Sequence, residues 1–198
     1  MAHCPVILLA DRSLPNVEKI ASQLQEGLSD VALFLPEEDE QLSNATLAIA
    51  IGGDGTLINH GRILSAYDIP LIGVNSGNLG FLAKFDAESL IEHRKSIFAP
   101  DTPTMNVMLL EVVVDGNPPA IAMNEAMIAA GSPFRILELG LAINGIPAPP
   151  LRGDGIIVST PIGSTAHSVS VGGPIVDPSA QVFVLTPVAA HSLAVRPI

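Results

Sequence analysis

The sequence predicts an α/β domain with a largely parallel sheet, followed by a mostly β domain, and three observations carry that prediction. In the first half, short apolar runs alternate with stretches of helical periodicity, the pattern of strands joined by helices. The apolar run 46–51 then leads through Gly52-Gly53-Asp54-Gly55-Thr56 into a stretch of helical character, a strand, glycine turn and helix in succession. Around 99–103 two prolines mark a change of texture, and beyond them apolar runs alternate with turn residues in the manner of β structure. The division falls between an α/β domain over 1–100 and a mostly β domain over 101–198.

Taken in order, residues 4–10 read as a buried strand. Ser13-Leu14-Pro15 offers a cap followed by proline at an early helical position. Val17, Ile20, Ala21, Leu24 and Leu28 then recur at helical spacing, with Gly27 near the stop. Residues 31–35 and 46–51 are the second and third strands, and the acidic run 37–40 between them reads as a solvated loop. A helix over 57–64 precedes a fourth strand over 69–75. A second glycine loop follows, Ser76-Gly77-Asn78-Leu79-Gly80-Phe81-Leu82, and then a helix over 87–96. In the second domain strands are predicted over 107–114, 121–130, 136–143, 156–159 and 182–186, with turns at Asp115-Gly116-Asn117-Pro118 and Asn144-Gly145. No internal repeat or low-complexity segment is present.

Composition narrows the function. Charged residues make up 15% of the 198 residues, where about 25% is usual. That deficit predicts apolar surface covered by sister subunits or by chain beyond Ile198. Nine Lys and Arg against twenty Asp and Glu give a net charge of −11, which removes the electrostatic footprint of a nucleic-acid binder and disfavours anionic membranes. An anionic ligand would therefore be held locally, by backbone amides, a metal ion, and scarce arginines such as Arg62, Arg135 and Arg152. Cys4 is the one cysteine, so neither a disulfide nor a cysteine metal site is expected, which fits a reducing cytoplasm. With no basic segment before the first apolar run and no apolar stretch of spanning length, neither export nor membrane insertion is expected.

Two motifs carry the chemistry. In the glycine turn, backbone N–H groups can approach an anion closely at a helix N-terminus. A carboxylate at Asp54 would repel phosphate unless it faced a cation or a hydroxyl losing its proton, which makes it a magnesium partner or a general base. A tight turn with Asp54 as an ordinary helix cap is the alternative. The second motif, 154–178, reads DGIIVSTPIGSTAHSVSVGGPIVDP and holds Ser159, Thr160, Ser164, Thr165, Ser168 and Ser170. Small hydroxyl donors among glycines suit a sugar or a phosphate, though they also fill ordinary turns. There is no Gly-x-Ser-x-Gly elbow, and the adjacency of His167 and Ser168 says nothing about spatial pairing, so a hydrolase is discounted. His60, His93 and His191 lack metal-ligand spacing.

Together, Gly52 to Thr56, then Gly73-Val74-Asn75-Ser76-Gly77-Asn78-Leu79-Gly80-Phe81-Leu82, then Asn124-Glu125, then the 154–178 stretch, resemble the NAD kinases in the same order. The glycine–aspartate turn alone is shared with diacylglycerol kinases, sphingosine kinases and 6-phosphofructokinases. The resemblance implies phosphorylation of the adenosine ribose 2′-hydroxyl of NAD by ATP or polyphosphate, giving NADP, with Mg2+ or another divalent cation accompanying ATP. By position Asp54 would be the base, with Gly53 and Gly55 beside the nucleotide. Asn124 and Glu125 would bind ribose hydroxyls or groups on the nicotinamide side, and Arg152 and Asp154 would sit at the nicotinamide end. Thr165, Ala166, His167, Ser168 and Ser170 would line the adenine and ribose, and Asn59, Asn75, Phe81 and Ser159 complete the implied binding set.

The resemblance also implies a cytoplasmic homo-oligomer, a dimer or tetramer, whose ligands are NAD and the phosphoryl donor. Three departures stand out. His167 replaces the usual tyrosine, Asn59 occupies a position where many members carry arginine, and the family continues past Arg196-Pro197. The early stop predicts a piece of a longer chain or a shortened protein, so a truncated NAD(P)-binding module without turnover stays open, as does a lipid or sugar kinase of the same superfamily.

Overall fold

The alternation of side chains along the first strands sets the layers of the N-terminal part. β1 (Cys4–Ala10), β2 (Ala32–Leu35), β3 (Leu47–Ile51) and β4 (Leu71–Val74) form a parallel sheet in the order β2-β1-β3-β4. Successive side chains on a strand point to opposite faces. Val6, Leu8, Ile49 and Ile51 therefore share one face, packed with Val17, Ala21, Leu24 and Leu28 in and just after α1 (Pro15–Gly27) and with Leu90 of α3 (Ala87–Glu92). Ile7, Leu9, Ala48 and Ala50 share the other, against Leu57 and Leu64 of α2 (Asp54–Leu64). The result is a sheet with helices on both faces, each buried aliphatic side chain contributing about 1.5–3 kcal/mol. The sheet spacing is close on the α2 side, where a Cβ on Gly73 would lie 2.6 Å from a Leu57 methyl.

This computed structural model describes residues 3–36, 42–77, 80–133, 136–191 and 196–198. The acidic run 37–40, the pair Asn78-Leu79, and Arg135 lie outside the described residues. The chain divides into two compact units, Met1–Thr104 and Met105–Ile198.

Two helix predictions need correction. Ser13 does not cap α1: the cap position is Leu14, which makes no side-chain bond, while Ser13 turns back to Asp11, its Oγ–H and N–H donating to Oδ1 at 2.6 and 3.1 Å. Proline at the start of α1 suffices, because its missing N–H is one the first turn would leave unpaired anyway. The helix expected over 87–96 is two pieces, α3 and α4 (Arg94–Ile97), parted at His93. A reciprocal cap between Asp86 and Ser89 starts α3. At its end the His93 ring sits 2.9 Å from the Ser89 carbonyl and Arg94 Nη1 donates to the Ile91 carbonyl at 2.9 Å, which satisfies the last turn and stops it.

In the second unit β7 (Glu125–Ala129), β10 (Gly155–Ser159) and β11 (Val184–Val188) form an antiparallel sheet with β10 central. β5 (Leu110–Val112) pairs with β6 (Ala120–Ala122). The strand expected over 121–130 is therefore split, with Met123 and Asn124 between β6 and β7. β8 (Leu137–Ile143) and β9 (Ile146–Gly153) form a hairpin closed by Asn144 and Gly145 at φ of 52° and 78°, the primed turn that matches strand twist. Sequence reading missed β9, because Pro147, Pro149 and Pro150 argue against a strand. They are tolerated because β9 has one strand partner among the described strands, and because its register against β8 shifts between Leu139 and Leu141, opposite Pro149 and Pro150, where the ladder is already irregular. The hydroxyl-rich stretch is not extended: a 3-10 turn (Ile162–Thr165) and α5 (His167–Ser170) follow β10.

Among the described residues no helix is long and apolar enough to cross a membrane.

Candidate functional site

The strand order of the first unit sends the chain from β1 outward to β2 on one side and to β3 on the other, so a crevice opens beyond their carboxyl ends. Three connections meet at that edge. From the start of α1, Asn16 Nδ2 donates to the Ser76 carbonyl at 3.0 Å, tying the segment after β1 to the loop after β4. At the end of β4, Asn75 N–H donates to the Phe85 carbonyl at 2.8 Å, while its Oδ1 accepts the Gly77 N–H at 2.8 Å and sets the loop's direction. After β3, Gly53 caps α2 with extended backbone and no side-chain bond, so the head of the helix is not closed by its own cap.

Asp54 is the first residue of α2, and its half-buried carboxylate turns away from the helix to the loop after β4. Oδ2 accepts the Phe81 N–H at 2.9 Å and Oδ1 accepts the Leu82 N–H at 3.0 Å. Both oxygens keep a further lone pair. Beside it Gly53 and Gly55 are exposed, and a Cβ at either would meet nothing within 4 Å. Backbone N–H groups at a helix N-terminus with open space before them can receive an anion. Phe81 leaves 72% of its surface exposed, so its ring is available for stacking. Asn59 stands on the exposed side of α2, its Oδ1 accepting from Arg62 Nη2 at 3.4 Å. The structure thus brings Gly53, Asp54, Gly55, Asn75 and Phe81 to one edge and leaves Asn59 farther along the helix.

In the second unit the sheet register separates the remaining residues into two groups. Glu125 is paired with Ser159 at one end of β10, and Gly155 with Ala129 at the other. At about 3.3 Å per residue the two ends are roughly 13 Å apart. Arg152 and Asp154 belong to the Gly155 end. Asp154 is held there through its backbone, donating N–H to the Val188 carbonyl and accepting the Ala130 N–H, both at 2.9 Å. Arg152 is exposed, 3.7 Å from Glu138.

Asn124, Glu125, Ser159 and the 165–170 group belong to the other end. Among the described residues, Asn124 Oδ1 and Glu125 Oε2 are buried without a hydrogen-bond partner. Burial pushes the Glu125 carboxyl above the ordinary glutamate range, and the charge of His167 opposes that shift. An unpaired buried acceptor costs about 1–3 kcal/mol, so two neighbours of this kind form a place built to be completed by donors from elsewhere.

The hydroxyls are also engaged inside the chain. Ser159, Ser164, Thr165 and Ser170 donate to the carbonyls of Thr160, Pro161, Ile162 and His167 at 2.7, 2.6, 3.1 and 2.7 Å. Ser168 Oγ pairs with Thr186 Oγ1 at 2.8 Å in a buried contact. The protons of Ser159, Ser164, Thr165 and Ser170 are spent inside the chain, so what these four can offer a ligand is acceptor capacity, while either hydroxyl of the Ser168–Thr186 pair can be its donor. Ala166 links the 3-10 turn to α5, with its N–H on the Gly163 carbonyl at 2.9 Å, and His167 is exposed.

Sequence reading named Thr160 only as one of six hydroxyls and passed over Gly163, and these two brace the groups. Thr160 N–H donates to the Asn124 carbonyl at 2.8 Å, its Oγ–H donates to the Met123 carbonyl at 2.6 Å, and its Oγ1 accepts the Gly163 N–H at 3.1 Å. A Cβ on Gly163 would fall on the Asn124 carbonyl group. Together they fix the backbone of the Asn124–Glu125 pair. A threonine fully buried in a loop after a strand was the available signal, but burial is not visible in sequence.

Comparison with known proteins gives these geometries a family. The family described as the ATP-NAD kinase N-terminal domain matches residues 13–102, and that described as the ATP-NAD kinase C-terminal domain matches residues 123–198. An NAD kinase of Clostridium botulinum (strain Loch Maree / Type A3) is 32% identical over 196 residues, covering 95% of this chain and 70% of that protein. The chain belongs to the NAD kinase family. An NAD kinase of Nitrosomonas europaea is 40% identical over 158 residues, 78% of this chain and 53% of that protein. One of Geobacter sulfurreducens is 38% identical over 169 residues, 83% of this chain and 59% of that protein. The chain thus spans between half and three fifths of these two relatives. Among solved structures, a yeast NADH kinase complexed with NADH shares the fold at a TM-score of 0.79 and 21% identity, covering 100% of this chain and 69% of its own. An NAD kinase from Archaeoglobus fulgidus in complex with ATP aligns at a TM-score of 0.74 and 25% identity, covering 100% and 76%.

Proposed function

We propose that this member of the NAD kinase family transfers the terminal phosphoryl group of ATP to the 2′-hydroxyl of the adenosine ribose of NAD, giving NADP and ADP. The observation that carries it is the neighbouring pair of buried, unpartnered acceptors, Asn124 Oδ1 and Glu125 Oε2. Ribose hydroxyls are donors of the kind such a pair lacks, whereas a purely structural element would have satisfied both within the chain. The two solved structures are complexed with NADH and with ATP, which supports taking a nicotinamide dinucleotide and ATP as substrates here.

The chemistry falls to Asp54. A secondary hydroxyl is a poor nucleophile at neutral pH, and a positioned carboxylate accepting its proton contributes about 10²- to 10⁴-fold. The ribose oxygen bonds to phosphorus, its proton passes to the Asp54 carboxylate, and the bond from phosphorus to the bridging oxygen breaks with its electron pair leaving on ADP. Magnesium accompanying ATP would supply the charge neutralisation of the phosphate oxygens. Among the described residues no three His, Cys, Asp or Glu side chains cluster to hold it by themselves. Gly53 and Gly55 offer open backbone to phosphate, and the Arg152–Asp154 end of β10 offers charged and polar groups to the distal part of the dinucleotide. Polyphosphate is the alternative donor. Low charge content supports assembly as a homo-oligomer, and the free Cys4 supports a cytoplasmic setting.

Incubating the purified chain with NAD, ATP and magnesium and measuring NADP tests this. NADP formation is the expected outcome. NAD binding without turnover would make the chain a nucleotide-binding module instead, and turnover of diacylglycerol or fructose 6-phosphate in place of NAD would move it elsewhere in the superfamily.

A further inference from the structure

Gly80 is not required by backbone conformation, since its φ lies outside the left-handed region. Space is the reason for it. A Cβ on Gly80 would fall on Asp54 Oδ1 and lie 2.7 Å from Asp54 Cγ and 2.9 Å from Oδ2, closer than real Cβ atoms approach. The next two residues, Phe81 and Leu82, give their N–H groups to the two oxygens of the same carboxylate at 2.9 and 3.0 Å. An acidic residue in the first turn of a helix ordinarily serves that helix's own N-terminus. Asp54 instead reaches a loop 27 and 28 residues away in sequence.

We propose that Gly80 is a positioning residue for phosphoryl transfer. Lacking a side chain, it lets the loop after β4 close onto Asp54, where two adjacent amides grip one oxygen each and hold the carboxylate plane in a single orientation. A carboxylate gripped in this way has one free lone pair on each oxygen and little rotational freedom, which is what a proton acceptor needs at the moment the hydroxyl attacks. A methyl group at position 80 pushes the loop off the carboxylate, the two amides lose their acceptor, and the base is left present but unaimed. This rests on the assignment of Asp54 as the base, and it adds the element that aims it.

The test is a double-mutant cycle read by kinetics and by melting. Gly80→Ala lowers kcat for NADP formation by about 10²-fold, the loss expected of an angstrom-scale misplacement. KM for NAD and for ATP stays within about threefold, because the change removes orientation rather than binding. Melting reports the contact without turnover: Gly80→Ala lowers Tm in the parent, but not in an Asp54→Ala background, where the carboxylate that the methyl would strike is gone. Should Gly80→Ala alone fail to fold, recovery of folding in the Asp54→Ala/Gly80→Ala chain supports the proposal, and continued failure overturns it. Equal Tm losses in both backgrounds overturn it, as does a raised KM with unchanged kcat. A parent chain that forms no NADP removes the assignment of Asp54 as base and is distinguishable from loss of the Gly80 contact, because the melting cycle does not depend on activity.

Discussion

The two units are built from different materials. In the first, the sheet is sandwiched by aliphatic clusters, Val6, Leu8, Ile49, Ile51 and Leu24 on one face and Ile7, Leu9, Leu57 and Leu64 on the other. In the second, Ser159, Thr160, Ser164, Ser168 and Thr186 are fully buried beside Ile156, Ile157 and Val184, and every buried polar residue among the described ones lies there. Apolar burial is non-directional and tolerates sliding, whereas a buried hydroxyl holds only the geometry that satisfies it. The first unit is therefore a scaffold that carries its chemistry on loops at one edge, and the second is a scaffold whose interior is itself the positioning device.

The largest effect separates chemistry from framework. Asp54→Asn keeps size but cannot take a proton, and its NH2 faces one of the two backbone N–H groups that the carboxylate accepts from, so turnover falls by about 10²- to 10⁴-fold. The NAD dissociation constant, read by calorimetry, stays within several-fold of the parent, and comparable turnover in mutant and parent would give Asp54 another role. Next come the two interiors. Leu24→Ala empties a fully buried site in the first unit and costs about 2–5 kcal/mol in a denaturant melt. In the second unit, Ser168→Ala leaves Thr186 without its buried partner and costs about 1–3 kcal/mol. Adding Thr186→Val should return most of that loss, since removing both partners of a buried hydrogen bond is nearly neutral. If the double change costs the sum of the singles, the hydroxyl pair is not what holds β11 against α5.

The smallest effect is in pH. The folded state holds a proton on Glu125 above the ordinary glutamate range, so it binds more protons than the unfolded chain between the ordinary value and the raised one. Stability therefore falls as pH climbs through that window and is regained as pH drops below it. Glu125→Gln, which cannot ionise, removes this slope and raises Tm at neutral pH without ligand. An identical slope of Tm with pH in both chains would locate the titration elsewhere.

Much of the first unit was legible, because its strands alternate with amphipathic helices and its loops are written in glycine. β1 begins and ends where its apolar run does, and α1 runs from Pro15 to Gly27 as the spacing of Val17, Ala21 and Leu24 requires. Local competition was harder to see. Ser13 could accept an N–H from the first turn of α1 or donate to Asp11, and it donates to Asp11, while His93 ended a helix whose periodicity continued past it. In the second unit β9 hid behind three prolines, since tolerance of proline depends on having an open side, which is a fact of topology. The site divided in the same way. Asp54 and the Asn124–Glu125 pair were visible as motifs, but a serine or threonine that faces a ligand and one that faces its own backbone look alike in sequence. In sequence Gly80 is one more loop glycine, and only the carboxylate packed against it distinguishes it from Gly77, where a Cβ would meet nothing within 4 Å.

The prolines of β9 reach beyond the hairpin they sit in. Pro147, Pro149 and Pro150 take three N–H groups out of a strand that pairs, among the described strands, with β8 alone, and the register shift opposite Pro149 and Pro150 interrupts its alternation of donors. A foreign strand arriving at that border finds gaps in the row of donors it would need, so the hairpin is poorly suited to seed edge-to-edge aggregation.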